Sequence, residues 1–300
     1  MSADRAASAL ARLLNRSRST GENYNLLLSR FVIERLLFRL SVSPHAGNFV
    51  LKGALLFALW YDTPHRPTKD ADLLGFGVDD ADTLRATFNA VCAIDAEDGV
   101  RYDTANMKIA PIREDNVYGG MRLSLLAFVG SARLPVQVDI GFGDAITPAP
   151  EFVTYPTLLD DMDAPHLRAY PVYTVIAEKF HAMVELGINN SRMKDFFDLA
   201  VIVRTSTLDG SILVEALRAT FARRGTQIPG STPVALTQAF AADSVKGKQW
   251  RSFVTKASLQ AESLEQVIGA LDLFLRPLLD ATVDEGQFDW TWNPTLHRWT

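Results

Sequence analysis

TKDADLLGFG, residues 68–77, opens an apolar run with two acids two positions apart. In a strand, residues i and i+2 share a face and lie about 7 Å apart along the chain. Asp70 and Asp72 are therefore predicted to share one side of a short strand, with Ala71 and Leu73 on the other. Two like charges that close repel unless a cation sits between them, so the stretch points to a metal at the start of a strand. Upstream, FVLKG (49–53) is a second short strand ending in Gly53, and ALLFALWYD follows as a helix. A strand–glycine–helix turn can aim backbone N–H groups at an anion. Downstream, LPVQVDIGFGD (134–144) alternates, with Val136, Val138 and Ile140 on one side and Gln137, Asp139 and Gly141 on the other. That places a lone acid in mid-strand.

Three carboxylates on neighbouring strands suit a two-metal phosphoryl-transfer site, whose ions lie about 3.5–4 Å apart. Magnesium takes few carboxylates and completes its shell with water and substrate phosphates. A D-x-D pair is also common at strand ends, and Asp139 alone could be a buried acid paired with Arg133 or Lys69. The order of glycine turn, D-x-D and lone strand acid favours the metal.

The whole chain sets bounds. It has 300 residues, 48% hydrophobic and 22% charged, enough for a substantial core without disulfides or a structural metal. Cys92 is the only cysteine, which excludes an internal disulfide and a cysteine-rich zinc site. His65, His181 and His297 stand singly, without a partner at ligand spacing. No signal peptide and no membrane-length apolar run is visible, so a reduced, cytoplasmic setting without membrane contact is expected. The net charge of −5 argues against coating nucleic acid with the whole surface. Residues 1–45, however, carry arginines 5, 12, 16, 18, 30, 35 and 39 against Asp4, Glu22 and Glu34. They are either a phosphate-facing patch or a solvated helical face.

Helices are expected at 4–16, 23–41 and, behind an Asp80 N-cap, 80–94; YDTANMKIAPI (102–112) and GMRLSLLAFVG (120–130) alternate like strands. From Pro171 the pattern turns helical, at 172–187, 191–205, 210–224, 234–256 in pieces, and 263–281. The tail QFDWTWNPTLHRWT is expected to plug an apolar groove. The expectation is an α+β chain: N-terminal helices and a core with a mixed β-sheet flanked by helices over residues 1–165, then an α-helical C-terminal domain over 166–300.

The helical half adds charged residues in apolar settings. Lys179 lies on the stripe of Val175, Ile176, Phe180 and Met183, and a buried lysine needs an anion, either a triphosphate or a structural aspartate. Arg192, Asp195 and Asp198 recur every three residues on an otherwise apolar helix, so Asp195 could hold Lys179 or Arg192.

Taken together, FVLKGALLFALW, RPTKDADLLGFG, VQVDIGFGD, VIAEKFHAMVELG and SRMKDFFDLAVI resemble the AbiEii/AbiGii toxin nucleotidyltransferases, over roughly residues 25–210. These are toxins of bacterial toxin–antitoxin and phage-defence pairs, similar in fold to DNA polymerase β. The resemblance implies a nucleotidyltransferase core followed by a helical bundle, with the active site in the cleft between. It implies that Gly53 opens the nucleotide-binding turn, Asp70 and Asp72 bind magnesium, Lys179 meets the triphosphate and Asp195 completes the site. Asp139 stands where the third acid of the superfamily would be, and Arg66 and Lys69 either meet phosphate or balance the acidic pair. The implied co-substrate is an NTP with two Mg²⁺, the acceptor a transfer-RNA 3′ end, and the partner a cognate antitoxin. One departure is visible: the usual Gly-Ser or Gly-Gly turn reads Gly53-Ala54 here. A protein or small-molecule acceptor, or a non-catalytic module of the same fold, are the alternatives.

Overall fold

The structure is a computed structural model that describes residues 2–61, 66–112, 119–283, 286 and 288–300. His65 and part of the loop before Asp70 lie outside the described residues. The chain divides into two compact units, residues 1–143 with 150–170, and residues 144–149 with 171–300.

The first unit is built on a seven-stranded mixed sheet. In chain order its elements are α1 (Ser2–Thr20), α2 (Tyr24–Val42), β1 (Phe49–Lys52), α3 (Phe57–Trp60), β2 (Asp70–Gly75), α4 (Ala81–Ala93), β3 (Val100–Pro111), β4 (Gly120–Val129), β5 (Ala132–Phe142), β6 (Glu151–Thr154) and β7 (His166–Ala169). The strands lie in the order β3-β4-β5-β2-β1-β7-β6. β2 runs parallel to β5 and β1 parallel to β7; the other neighbours are antiparallel. Helix α1 continues through the polar stretch expected to break it: Ser19 and Thr20 turn back onto the Arg16 carbonyl, and Gly21 ends it at φ 75°. Strands β6 and β7 were not foreseen, since their four residues show no period and lack the apolar run that marks the equally short β1.

Period-2 alternation gives the sheet a buried apolar side: Leu73, Leu123, Leu125, Ala127, Val136, Val138 and Ile140 are all nearly inaccessible. Helices α1, α2 and α4 pack over β4, over β5 and β7, and over β3. Helix α2 is buried around most of its girth, Glu34, Arg35 and Arg39 included. The arginine-rich start is therefore not simply a solvated face. Arg39 grips Asp98 through two bonds of 2.6 and 2.9 Å and donates to the Ile94 and Val100 carbonyls. Arg35 donates to Asp163 O and sits beside Glu34. Arg5 pairs with Glu97, Arg12 with Asp161, and Arg16 and Arg30 with Glu22; Arg18 is exposed. Six of the seven arginines thus have partners inside this unit.

The second unit holds α5 (Val172–Leu186), α6 (Met193–Thr205), α7 (Gly210–Arg223), α8 (Gln238–Ala242), α9 (Ser244–Lys256) and α10 (Leu264–Val283), plus a small antiparallel sheet of β8 (Leu208–Asp209), β9 (Thr291–Asn293) and β10 (Arg298–Trp299). That sheet was not expected in a half read as all-helical. It is made by the aromatic tail, which does fill an apolar groove. Trp292 is 1% exposed and donates to Val203 O, Trp299 donates to Phe274 O, and the three rings pack together. Among the described residues no helix is long and apolar enough to cross a membrane.

Removing Arg39 would leave Asp98 charged, buried and unpaired, which typically costs about 3–5 kcal/mol, whereas an exposed pair is worth at most about 1 kcal/mol. Arg39→Ala is expected to lower the urea midpoint far more than Arg12→Ala, and equal shifts would contradict this account of α2.

Candidate active site

Strand register carries the geometry of the first unit. Lys52 on β1 is opposite Asp72 on β2; Asp72 is opposite Asp139 on β5; Asp139 is opposite Arg122 on β4. Four charged residues therefore cross four adjacent strands in one row, in the order +, −, −, +, with neighbouring strands about 4.8 Å apart. Asp70 lies one pleat along on the same face, opposite Gln137. This is the polar side of the sheet, away from the Val136, Val138 and Ile140 surface.

Each acid is held by a specific neighbour. Thr68 Oγ1 donates to Asp70 Oδ1 at 2.6 Å. Asp72 packs directly on Gly53, where a Cβ would stand 1.9 Å from Asp72 Oδ2 and 2.6 Å from its Cγ. Gly53 also has φ +74°, the left-handed region that side chains avoid. Glycine is thus demanded twice, by the turn and by the carboxylate. The missing hydroxyl at Ala54 does not affect this contact. Asp139 takes two bonds from Arg122, Nε to Oδ1 at 2.8 Å and Nη2 to Oδ2 at 2.7 Å. The alternative partners expected for Asp139 are not used in this way: Arg133 lies over the Phe128 ring, and Lys69 is exposed. Arg66 is half-buried. Lys52 extends over the Tyr170 ring, 5.1 Å from its centre.

Asp70 and Asp72 are hard oxygen donors on one face, as magnesium requires. Among the described residues no group of three histidine, cysteine, aspartate or glutamate side chains converges into a metal cage. The donor set suits an ion that completes its shell with water and phosphate rather than one enclosed by protein.

In the second unit Lys179 on α5 donates to Asp195 Oδ1 at 2.7 Å and to Asp198 Oδ2 at 2.8 Å, both on α6. Arg192 Nε lies 2.8 Å from Asp195 Oδ2. The two aspartates are almost wholly buried, and the Lys179 side chain is 13% exposed. Burial opposes charge on Lys179 and on Asp195. For Lys179 it is outweighed by Asp195 and Asp198, which hold the ammonium above its ordinary value. For Asp195 it is outweighed by Lys179 and Arg192, which hold the carboxyl below the usual range. The anion demanded by a lysine on this stripe is therefore present within the unit, and two of the three ammonium donors are engaged.

His181, two residues along α5, is held neutral. Arginine can only donate, so the 3.2 Å contact from Arg224 makes His181 Nδ1 an acceptor and leaves the proton on Nε2, which faces Thr226 Oγ1 at 3.0 Å. Burial and the nearby Arg224 charge push its pKa down to about 4.

Thr68, Lys52, Arg122 and the pairing of Asp198 were not assigned from sequence. Thr68 is visible in the motif. Arg122 falls on the polar phase of its strand, but only the register shows that it meets Asp139.

A glycine turn against a strand acid, a second acid at i−2 and a third on the adjoining parallel strand thus stand together on one face of the sheet. Residues 35–283 match the family described as the nucleotidyl transferase AbiEii toxin of type IV toxin–antitoxin systems. The chain belongs to this family, and it is a nucleotidyltransferase. Its fold is similar to that of a candidate nucleotidyltransferase of Helicobacter pylori, at 15% identity and a TM-score of 0.51, covering 89% of this chain and 100% of the other. JHP933 from Helicobacter pylori also matches, at 14% identity and a TM-score of 0.49, covering 87% and 94%. No curated protein matches the chain.

Gly53→Ala forces Asp72 to move and is expected to abolish nucleotidyl transfer while changing the thermal midpoint by only a few degrees; retained activity would separate Gly53 from the site. Lys179→Met tests the second unit through pH. In the parent, the pair's contribution is present above the unfolded aspartate value of 3.8 and is lost as pH falls through the depressed Asp195 pKa. Without the lysine, Asp195 and Asp198 stay buried but lose the ammonium they share, so the variant is expected to gain stability relative to the parent as pH falls towards 4. Parallel stability–pH curves for the two proteins would refute this.

Proposed function

We propose that this chain transfers an NMP from an NTP to an acceptor hydroxyl in a magnesium-dependent reaction, and that the acceptor is the 3′ end of a transfer RNA. The observation that carries the reading is the Gly53–Asp72 contact beside Asp139 in a chain of this family. Asp70 and Asp72 hold magnesium, with Asp139 as the third acid. When bound, the ion supplies charge neutralisation at the phosphates and the leaving pyrophosphate. Gly53 amides, Lys69 and Arg66 bind phosphate oxygens. The family resemblance gives Lys179 to the triphosphate, and within its own unit Asp195 with Asp198 keeps that ammonium charged and oriented. The acceptor oxygen bonds to the α-phosphorus as the bond to pyrophosphate breaks, and its proton passes to a nearby carboxylate, for which Asp139 is placed on the same sheet face. Such catalysis is positioning plus electrostatics, so removal of one metal-holding acid is expected to reduce the rate by orders of magnitude.

Transfer to tRNA would stop translation and arrest growth, in keeping with a toxin restrained by a cognate antitoxin and with a part in phage defence. One observation favours a second acceptor class. The N-terminal arginines that suggested a phosphate-facing patch have partners within their own unit, apart from exposed Arg18, which leaves a protein or small alcohol as the alternative.

The deciding experiment incubates the protein with each α-³²P-labelled NTP, Mg²⁺ and total bacterial RNA, beside Asp72→Ala. A labelled band of transfer-RNA size that is absent from the variant is the expected result. Label on protein, or none on RNA, would overturn the tRNA acceptor.

A further inference from the structure

Asp72 and Asp139 are register partners on adjacent parallel strands, yet no three-acid cage forms among the described residues. The sheet order gives the reason. Strand β5 lies between β2 and β4, so Asp139 has Asp72 on one side and Arg122 on the other. Arg122 engages both carboxylate oxygens with a forked pair of bonds. A fork held from the β4 side draws the carboxylate away from β2. Two facing acids would also repel each other without a cation, and the guanidinium supplies that charge from within the chain.

We propose that Arg122 is a positioning residue that holds Asp139 away from Asp72 in the nucleotide-free protein, so that the full acid set forms only when metal and nucleotide arrive together. The inference rests on the metal-binding role given above to Asp72 and Asp139. Exchange is made feasible by where the pair sits. The Arg122 side chain is 45% exposed and that of Asp139 17%, so the pair is not locked in a dry core. Exposed ion pairs are worth at most about 1 kcal/mol, less than a divalent ion and a triphosphate can offset. A guanidinium released from a carboxylate is also suited to phosphate, whose oxygens accept the same fork. Arg122 can thus change partner without losing its charge compensation. Metal alone meets a competitor at Asp139; metal with a triphosphate gives that competitor another anion.

The test is a Mn²⁺ titration of the nucleotide-free full chain, followed by water-proton relaxation, so that the readout is occupancy and not turnover. Arg122→Gln is expected to bind Mn²⁺ more tightly than the parent by up to about fivefold, the size of an exposed ion pair. In the Asp139→Asn background the same change is expected to have no effect. Arg122→Lys keeps the charge without the fork and should fall in between; it also serves if the glutamine variant folds poorly. Unchanged or weaker Mn²⁺ binding in a folded Arg122 variant would overturn the proposal. So would a gain that persists without the Asp139 carboxylate, because Arg122 would then act only as a general nearby charge. Asp72→Asn separates the two levels. If it leaves Mn²⁺ binding intact in every background, the metal role of Asp72 fails; if it removes binding, the result with Arg122 stands on its own.

Discussion

The Asp72 carboxylate lies in the space that a side chain at position 53 would fill. This contact constrains three things together. The turn after β1 must carry glycine, β1 and β2 must pair in the register that sets Lys52 opposite Asp72, and β2 must occupy the middle of the sheet. A one-residue slip would turn Asp72 to the buried side, among Val138 and Ile140, where an unpaired charge is very costly. Burial of the apolar face thus fixes where the acids stand. The helices behind the sheet supply that burial and leave the opposite face for chemistry.

The charges on that face are arranged to tolerate one another. Lys52 and Arg122 flank Asp72 and Asp139, so the row is neutral by formal charge without a bound ion. The same logic recurs in the second unit, where Lys179 and Arg192 offset Asp195 and Asp198. Such compensation lets acids needed for a reaction persist in a folded chain. A ligand that met these acids would have to displace internal partners, which would lower affinity and favour ligands carrying both kinds of charge.

Much of this was legible in the sequence because it is local. Alternation in LPVQVDIGFG marks which side of β5 carries Asp139, the D-x-D spacing places Asp70 and Asp72 together, and the apolar stripe around Lys179 requires an anion. What was not legible depends on pairing across long separations. Nothing in GMRLSLL says that Arg122 meets Asp139, and nothing in FVLKG says that a carboxylate packs on its glycine. The seven early arginines were misleading for the same reason. Their partners at Glu97, Asp98, Asp161 and Asp163 lie far along the chain, so a count over 45 residues registers a basic patch where the fold places ion pairs and carbonyl contacts. Strands β6 to β10 escaped because four or fewer residues show no period and, unlike Phe49–Leu51 of β1, none of them has three apolar residues in a row.

Lys179 illustrates why structural and catalytic roles should not be set against each other. Its two bonds to Asp195 and Asp198 tie α5 to α6, and that tie exists with no nucleotide present. Loss of activity on replacing it would therefore say little by itself, because the aspartates would be left buried and charged. Yet the lysine that best serves a triphosphate is one kept charged and fixed in place, since a disordered ammonium must be immobilised again for each substrate. The aspartates perform that ordering once, during folding. A structural ion pair with one donor still free is on this view the preorganised form of a phosphate-binding group. The two roles separate by what they would alter: loss of the tie would change how stability depends on pH, whereas loss of the phosphate contact proposed for Lys179 would weaken triphosphate binding.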